Sequence, residues 1–320
     1  MKRDQSIDIA KAIGIILMVI GHFKGLPLWL EKWIFSFHMP LFFVLSGYLF
    51  KQKTEIQIIK GGLKSLVWPY IYTTLISVVI VLLLASPKNA FNPILGAFCG
   101  SQGNPNAKII LSNLQAGPIW FLMSLFWCRI YFSLIFKRFK EKYLFVSFLI
   151  GLPMAVFSAK IANIPLCIGS GAVSLMFYAT GSKLKEIGFE RIKPFLYVPI
   201  VLFWLLCSQF GYLNMACYIY QPHYLSILGG VCGSIFVFRV SSFVSGRISS
   251  VLRLIGMSTL EILCSHTFAY HSRKFFIGSL GMNLDDTFAL NFSLTLLTAL
   301  YSIIWILMKR FIERKKVQNA

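Results

Sequence analysis

Charge is what this 320-residue chain lacks most. Asp, Glu, Lys and Arg together make up 13% of it, and only 11 residues are acidic. Soluble domains carry about 25% charged residues, so an ordinary soluble enzyme is excluded, and so is a disordered tail. Cysteine is thin as well: seven residues, an odd number, with no C-x-x-C pair. Cys128, Cys167, Cys207, Cys232 and Cys264 fall inside apolar runs, which reads as packing rather than as a disulfide framework or a zinc site. The chain has no G-x-x-x-x-G-K-[ST], H-E-x-x-H or G-x-S-x-G, so a P-loop, a zincin helix and a nucleophile elbow find no support. No small-residue cleavage site follows Met1-Lys2-Arg3-Asp4, so the first apolar run is expected to be an uncleaved span rather than a signal peptide.

What is present is apolar. Apolar residues make up 57%, aromatic residues 16% with 30 Phe, and the mean hydropathy is +0.72. That composition predicts an all-α polytopic membrane protein. A helix needs about 17–25 apolar residues to cross the hydrocarbon core. Ten stretches qualify: 8–26, 33–50, 66–85, 118–136, 143–159, 164–182, 195–212, 223–240, 254–271 and 288–308. With the N-terminus inside, the cytoplasmic segments and span ends hold 22 Lys and Arg and the outer ones 7, with Lys11 and Arg129 left in the membrane. This asymmetry places both termini in the cytoplasm and accounts for the net charge of +20 without nucleic acid. Residues 1–320 read as one membrane domain, with an outer loop at about 86–117 and a basic tail at 309–320 that suits anionic lipid. Gly14 and Gly21, seven apart on one stripe, point to close helix packing.

Ionisable residues inside a span are costly and are functional candidates by default. Here they are Asp8, Lys11, His22, His38, Arg129, Glu261 and His266. Lys11 and His22 are eleven residues apart, which at 100° per residue brings both to one helix face with a rise of about 16 Å between them. Asp8 lies three residues before Lys11 on the same stripe. His22, His38 and His266 reach similar depth on three different spans, and imidazole suits general acid/base work near neutral pH. Metal ligation by the three stays open as an alternative, but no carboxylate pair accompanies them and no metal is assigned. Arg129 and Glu261 are expected to face the bundle interior, where opposite charges tend to pair.

Several of these residues sit in longer patterns. Ile7-Asp8-Ile9-Ala10-Lys11 through Gly21-His22, followed by Phe37-His38-Met39-Pro40-Leu41-Phe42-Phe43 and Ser46-Gly47, resembles the opening of the acyltransferase 3 family, in particular its fucose-4-O-acetylase-like branch. Pro118-Ile119-Trp120-Phe121-Leu122 resembles the family's Pro-x-Trp-Phe-Leu, and Gly256-Met257-Ser258-Thr259-Leu260-Glu261-Ile262 through His266 resembles its late Gly-x-x-Ser/Thr-Leu-x-Ile…His element. Where the family often carries paired arginines before Pro-Tyr, this chain has Lys60 and Lys64 before Pro69-Tyr70, which meet phosphate as point charges without the guanidinium fork.

The resemblance implies an integral membrane O-acyltransferase of a bacterial cell membrane. Its donor is a cytoplasmic acyl-CoA, usually acetyl-CoA, used as a substrate with no resident cofactor. Its acceptor is a sugar hydroxyl of a cell-surface or exported glycan, and a partner protein presenting or receiving that glycan fits the scheme. In this reading Lys11, Lys60 and Lys64 hold the phosphates of CoA, His22 is the general base, and His38 or Ser46 orients the acceptor or binds the thioester oxygen. His266 serves similarly, and Asp8, Trp120, Arg129 and Glu261 support the site. Direct transfer and an acyl-histidine intermediate both remain open. Two other classes are compatible with a polar bundle interior. One is an exporter of a polysaccharide or lipid-linked sugar, although no inverted repeat marks it. The other is a scaffold without chemistry, for which the histidines would face lipid.

Overall fold

The computed structural model describes residues 5–84, 91–100, 117–161, 164–189 and 192–318. Fifteen helices and one small hairpin are present among them. In chain order the helices are α1 (Gln5–Gly21), α2 (Leu28–Tyr48), α3 (Glu55–Gly62), α4 (Trp68–Leu84), α5 (Asn92–Cys99), α6 (Trp120–Phe139), α7 (Tyr143–Val156), α8 (Ser158–Ile161), α9 (Ile168–Val173), α10 (Leu175–Ile187) and α11 (Tyr197–Phe210). After β1 (Tyr212–Asn214) and its antiparallel partner β2 (Ile219–Gln221) come α12 (His223–Ser241), α13 (Gly246–Met257), α14 (Thr259–Ser279) and α15 (Thr287–Gln318).

Glycine sets how closely the central helices approach. Phe42 lies over Gly14 and Phe35 over Gly21 where α1 meets α2, so the two glycines pack as their spacing predicts. At the crossing of α2 and α10, a Cβ on Gly47 would overlap the Tyr178 carbonyl and one on Gly181 the Val44 carbonyl. Any side chain there would push the helices apart. A Cβ on Gly256 would likewise overlap the Asp8 carbonyl, which holds α13 against the start of α1. One apolar cluster runs from Ile7 to Leu263, and a smaller one joins α14 to α15 through Ala269, Leu294 and Leu297. Large apolar side chains also face outward along α4, α7, α11 and α15, Leu83 and Leu202 among them. In water that surface would be a liability, and in a bilayer it is the lipid contact.

This is a multi-pass helical membrane protein, but its spans are less regular than the hydropathy suggests. Five helical stretches are long and apolar enough to cross a bilayer, and six if α13 and α14 count together. The stretch at 254–271 is not one straight span: α13 and α14 meet at 68°. The stretch at 164–182 is broken, because Leu166 and Cys167 have positive φ and α9 is only six residues long. The first stretch ends at Gly21, so α1 is 17 residues long. Between α3 and α4 the helix passes through a π-helical turn, Leu63–Val67, a feature that often marks a functional site. The loop at about 86–117 contains α5, and its residues 86–90 and 101–116 lie outside the described residues. The basic tail continues α15 as helix to Gln318.

Candidate active site

His22 stands just past the end of α1, and its Nδ1 lies 2.7 Å from the carbonyl of Met18. His38, in the middle of α2, places Nδ1 2.9 Å from the carbonyl of Ile34. In both cases the side chain leans back over the preceding turn, as helical side chains do. A carbonyl only accepts, so each Nδ1 must be the N–H and each Nε2 the lone-pair nitrogen. His266 reaches the same state by another route. The Thr298 hydroxyl donates its single hydrogen to the Leu294 carbonyl at 2.6 Å. It therefore accepts from His266 Nδ1 at 3.1 Å. Nε2 of His266 is left as a buried acceptor with no partner among the described residues. The rings of His22 and His266 meet edge to face with centroids 5.0 Å apart, and Phe35 packs edge-on against His38 at 5.0 Å. Three imidazoles thus present a lone pair at Nε2, and the rings of His22 and His266 are in contact. His38 and His266 are fully enclosed, which is the opposite of the lipid-facing placement a scaffold would call for.

The space in front of His22 and His38 is small, and His266 lies behind them without lining it. A chamber of about 20 Å³ is bounded by Met18, His22, Phe35, His38, Met39, Pro118, Trp120 and, from the hairpin side, Leu213 to Ala216. That is room for a single water. The hairpin is pinned over it: the Tyr212 hydroxyl donates to Glu31 at 2.7 Å, and the Tyr212 ring stacks on Phe35. Burial, reinforced by the Glu31 carboxylate, raises the Tyr212 phenol above its ordinary range, so it stays protonated as the donor.

Behind Met18 and Met39 the space widens. A cavity of about 190 Å³, walled by Ile15, Phe42, Leu66, Phe121, Leu125 and Leu263 among others, has these same two methionines at one end. At its other end are Lys11, Ser46, Ser65 and Arg129, which also line a third space of about 380 Å³ together with Lys51, Lys53 and Gln57. The three spaces follow one another through shared walls. Their common lining orders them from a cationic mouth, past an apolar barrel, to a neck at Met18 and Met39, which also wall the chamber of His22 and His38.

This arrangement redistributes the residues expected from sequence. Lys11 lines the cavity of about 190 Å³ and the space of about 380 Å³, and His22 lines the chamber of about 20 Å³. Trp120 lines the histidine chamber, and Asp8 is buried where α1 crosses α13. Ser46 lies at the Lys11 end, because α2 runs antiparallel to α1, and so is not beside His38. Lys60 and Lys64 are exposed and line none of these spaces; Lys51 and Lys53 stand where they were expected. Arg129 faces the mouth, while Glu261 pairs with Lys309 at 2.7 Å and ties α14 to α15, so the two charges do not form a pair. No three His, Cys, Asp or Glu side chains are placed to hold a metal ion among the described residues. The methionine neck, Thr298 and the hairpin carry no sequence signal of chemistry, and sequence reasoning missed them.

Comparison with known proteins gives a consistent picture. A family model described as an acyltransferase domain, that of the acyltransferase 3 family, matches residues 4–309. The nodulation protein NolL of Mesorhizobium japonicum is 47% identical over 57 residues, 15% of this chain and 15% of that protein. NolL of Sinorhizobium fredii is 46% identical over 57 residues, 15% of this chain and 16% of that protein. The matched stretch is thus a small part of either relative. No solved structure matches.

Proposed function

The chain belongs to the acyltransferase 3 family, and from that premise we propose that it moves an acetyl-sized acyl group from cytoplasmic acyl-CoA to a sugar hydroxyl of an exported or cell-surface glycan, across a bacterial inner membrane. The observation that carries the reading is the shared wall: Met18 and Met39 bound both the chamber of His22 and the cavity that begins at Lys11. The Lys/Arg asymmetry supports ten spans with both termini and the Lys11 mouth in the cytoplasm.

In this mechanism the CoA phosphates sit at the mouth against Lys11, Arg129, Lys51 and Lys53, attracted by charge. The pantetheine arm lies in the apolar barrel, whose length follows the rise of about 16 Å from Lys11 to His22. The thioester reaches past the neck. Nε2 of His22 takes the proton of the acceptor hydroxyl as the oxygen attacks the thioester carbonyl, since a free sugar hydroxyl is a poor nucleophile near neutral pH. A C–O bond forms, the C–S bond breaks, and the imidazolium returns its proton to the departing CoA thiolate. His38 and His266 keep the base in its chamber, and the narrow neck favours a two-carbon acyl group over a long chain.

The test is transfer of radiolabelled acetyl from acetyl-CoA by the purified chain to a glycan extract. His22→Gln should bind acetyl-CoA normally and transfer it at least about a hundredfold more slowly. Undiminished transfer in that variant would overturn the assignment of the base, and a wild-type chain that neither binds nor consumes acetyl-CoA would overturn the function.

A further inference from the structure

Arg273 is an arginine where an arginine is expensive. It lies on α14 and is only 6% exposed, while its neighbour Lys274 is exposed as a snorkelling cation would be. Its guanidinium lies 4.3 Å over the Tyr270 ring. Among the described residues no carboxylate or carbonyl pairs with it. Carboxylates near this end are otherwise engaged or lie at the surface: Glu31 accepts from Tyr212, Asp286 caps the start of α15, and Asp285 is exposed. None of the Arg273 nitrogens is among the fully buried side-chain atoms that lack a partner, so the guanidinium keeps an opening through which an anion can reach it.

The position of this charge gives it a use. Arg273 follows His266 by seven residues, so the two share a helix stripe with a rise of about 10 Å between them. At the foot of the stripe is the buried Nε2 of His266, which has no partner among the described residues.

We propose that Arg273 is the recognition group for an anion carried by the acceptor glycan, a phosphate or a carboxylate placed a sugar unit or two from the hydroxyl that is acylated. This rests on the acyl-transfer reading and narrows its acceptor class from any sugar to an anionic one. Guanidinium binds either anion through two parallel hydrogen bonds, and the Tyr270 ring holds it flat for that contact.

The experiment uses the full chain in detergent. Diethyl pyrocarbonate modification of His22 is followed by mass spectrometry in the presence of glucose, glucose 1-phosphate or glucuronate. Glucose 1-phosphate or glucuronate should protect at roughly one-tenth the concentration of glucose, the size of one charge-assisted contact. Which of the two does so names the anion. The preference should vanish in Arg273→Gln, persist in part in Arg273→Lys, and persist in full in Lys11→Gln. Equal protection by all three sugars in the wild-type chain, or a preference unchanged in Arg273→Gln, would overturn the proposal. A preference lost in Lys11→Gln would also overturn it, by placing the anion at the donor mouth. Acetyl-CoA binding is measured in parallel: its absence beside an intact anion preference would sink the donor reading and leave this site standing.

Discussion

The two ends of the passage differ in kind. The Lys11 end is wide and cationic, with about 380 Å³ at the mouth and 190 Å³ behind it. The histidine end is closed, with about 20 Å³ under a hairpin fastened by Tyr212 and Glu31. The first end, in the proposed reaction, receives a long, flexible, multiply charged donor, and the second holds the imidazoles away from bulk solvent. In the proposed reaction the danger is water, which competes with the sugar for the thioester. A tight chamber that opens only for the acceptor answers that danger, and a donor side left open costs nothing because the thioester meets no base there. On that reading, the difference puts control of access at the acceptor side.

Breaking the histidine end should have the largest effect. His22→Gln should lower transfer by about 10²–10⁴-fold, the usual contribution of a positioned base, with acetyl-CoA affinity unchanged; a loss below tenfold in a radiolabel assay would detach His22 from the chemistry. Filling the neck with Met39→Trp should abolish transfer while acetyl-CoA still binds, since the donor stops short; a variant that keeps its turnover would show that the spaces are not joined at Met18 and Met39. Lys11→Gln should weaken acetyl-CoA roughly tenfold, in the range of one hydrogen-bonded charge, and leave kcat nearly intact, which calorimetry and initial rates check together. Loosening the hairpin with Tyr212→Phe should raise acetyl-CoA hydrolysis in the absence of any glycan by a few-fold, about the worth of one hydrogen bond; no increase would mean that the hairpin does not guard the chamber. Lys60→Gln with Lys64→Gln should change donor affinity less than twofold, because exposed charges off the route contribute little. The same pair of changes at Lys51 and Lys53 should have the larger effect.

How far the sequence reveals this depends on distance along the chain. Lys11 and His22 lie on one helix, and 3.6-residue periodicity alone brings them to one face. Gly14 and Gly21 are legible for the same reason. Ser46 and Lys60 depended on how helices assemble, which periodicity does not give: Ser46 falls at the Lys11 end because α2 runs back along α1, and Lys60 is turned off the route by the path of α3. The neck was illegible because Met18 and Met39 look like any apolar residue in an apolar run. The hairpin was illegible because strands of three residues leave no alternating pattern to read. Hydropathy also overstates regularity, since it registers neither the bend between α13 and α14 nor the positive φ at Leu166 and Cys167. Arg273 was readable as a position seven residues after His266, but its burial was not.

The neck has one more consequence, which follows from its sulfur. Leucine or phenylalanine would narrow the route equally well, but neither changes polarity under peroxide. Oxidation of Met18 or Met39 to the sulfoxide would set a strongly polar group in the narrowest stretch and draw water toward the thioester, and reductases could reverse the change. The chain would then become wasteful of its donor under oxidative stress and recover afterwards, a sensitivity that replacing both methionines with leucine would erase.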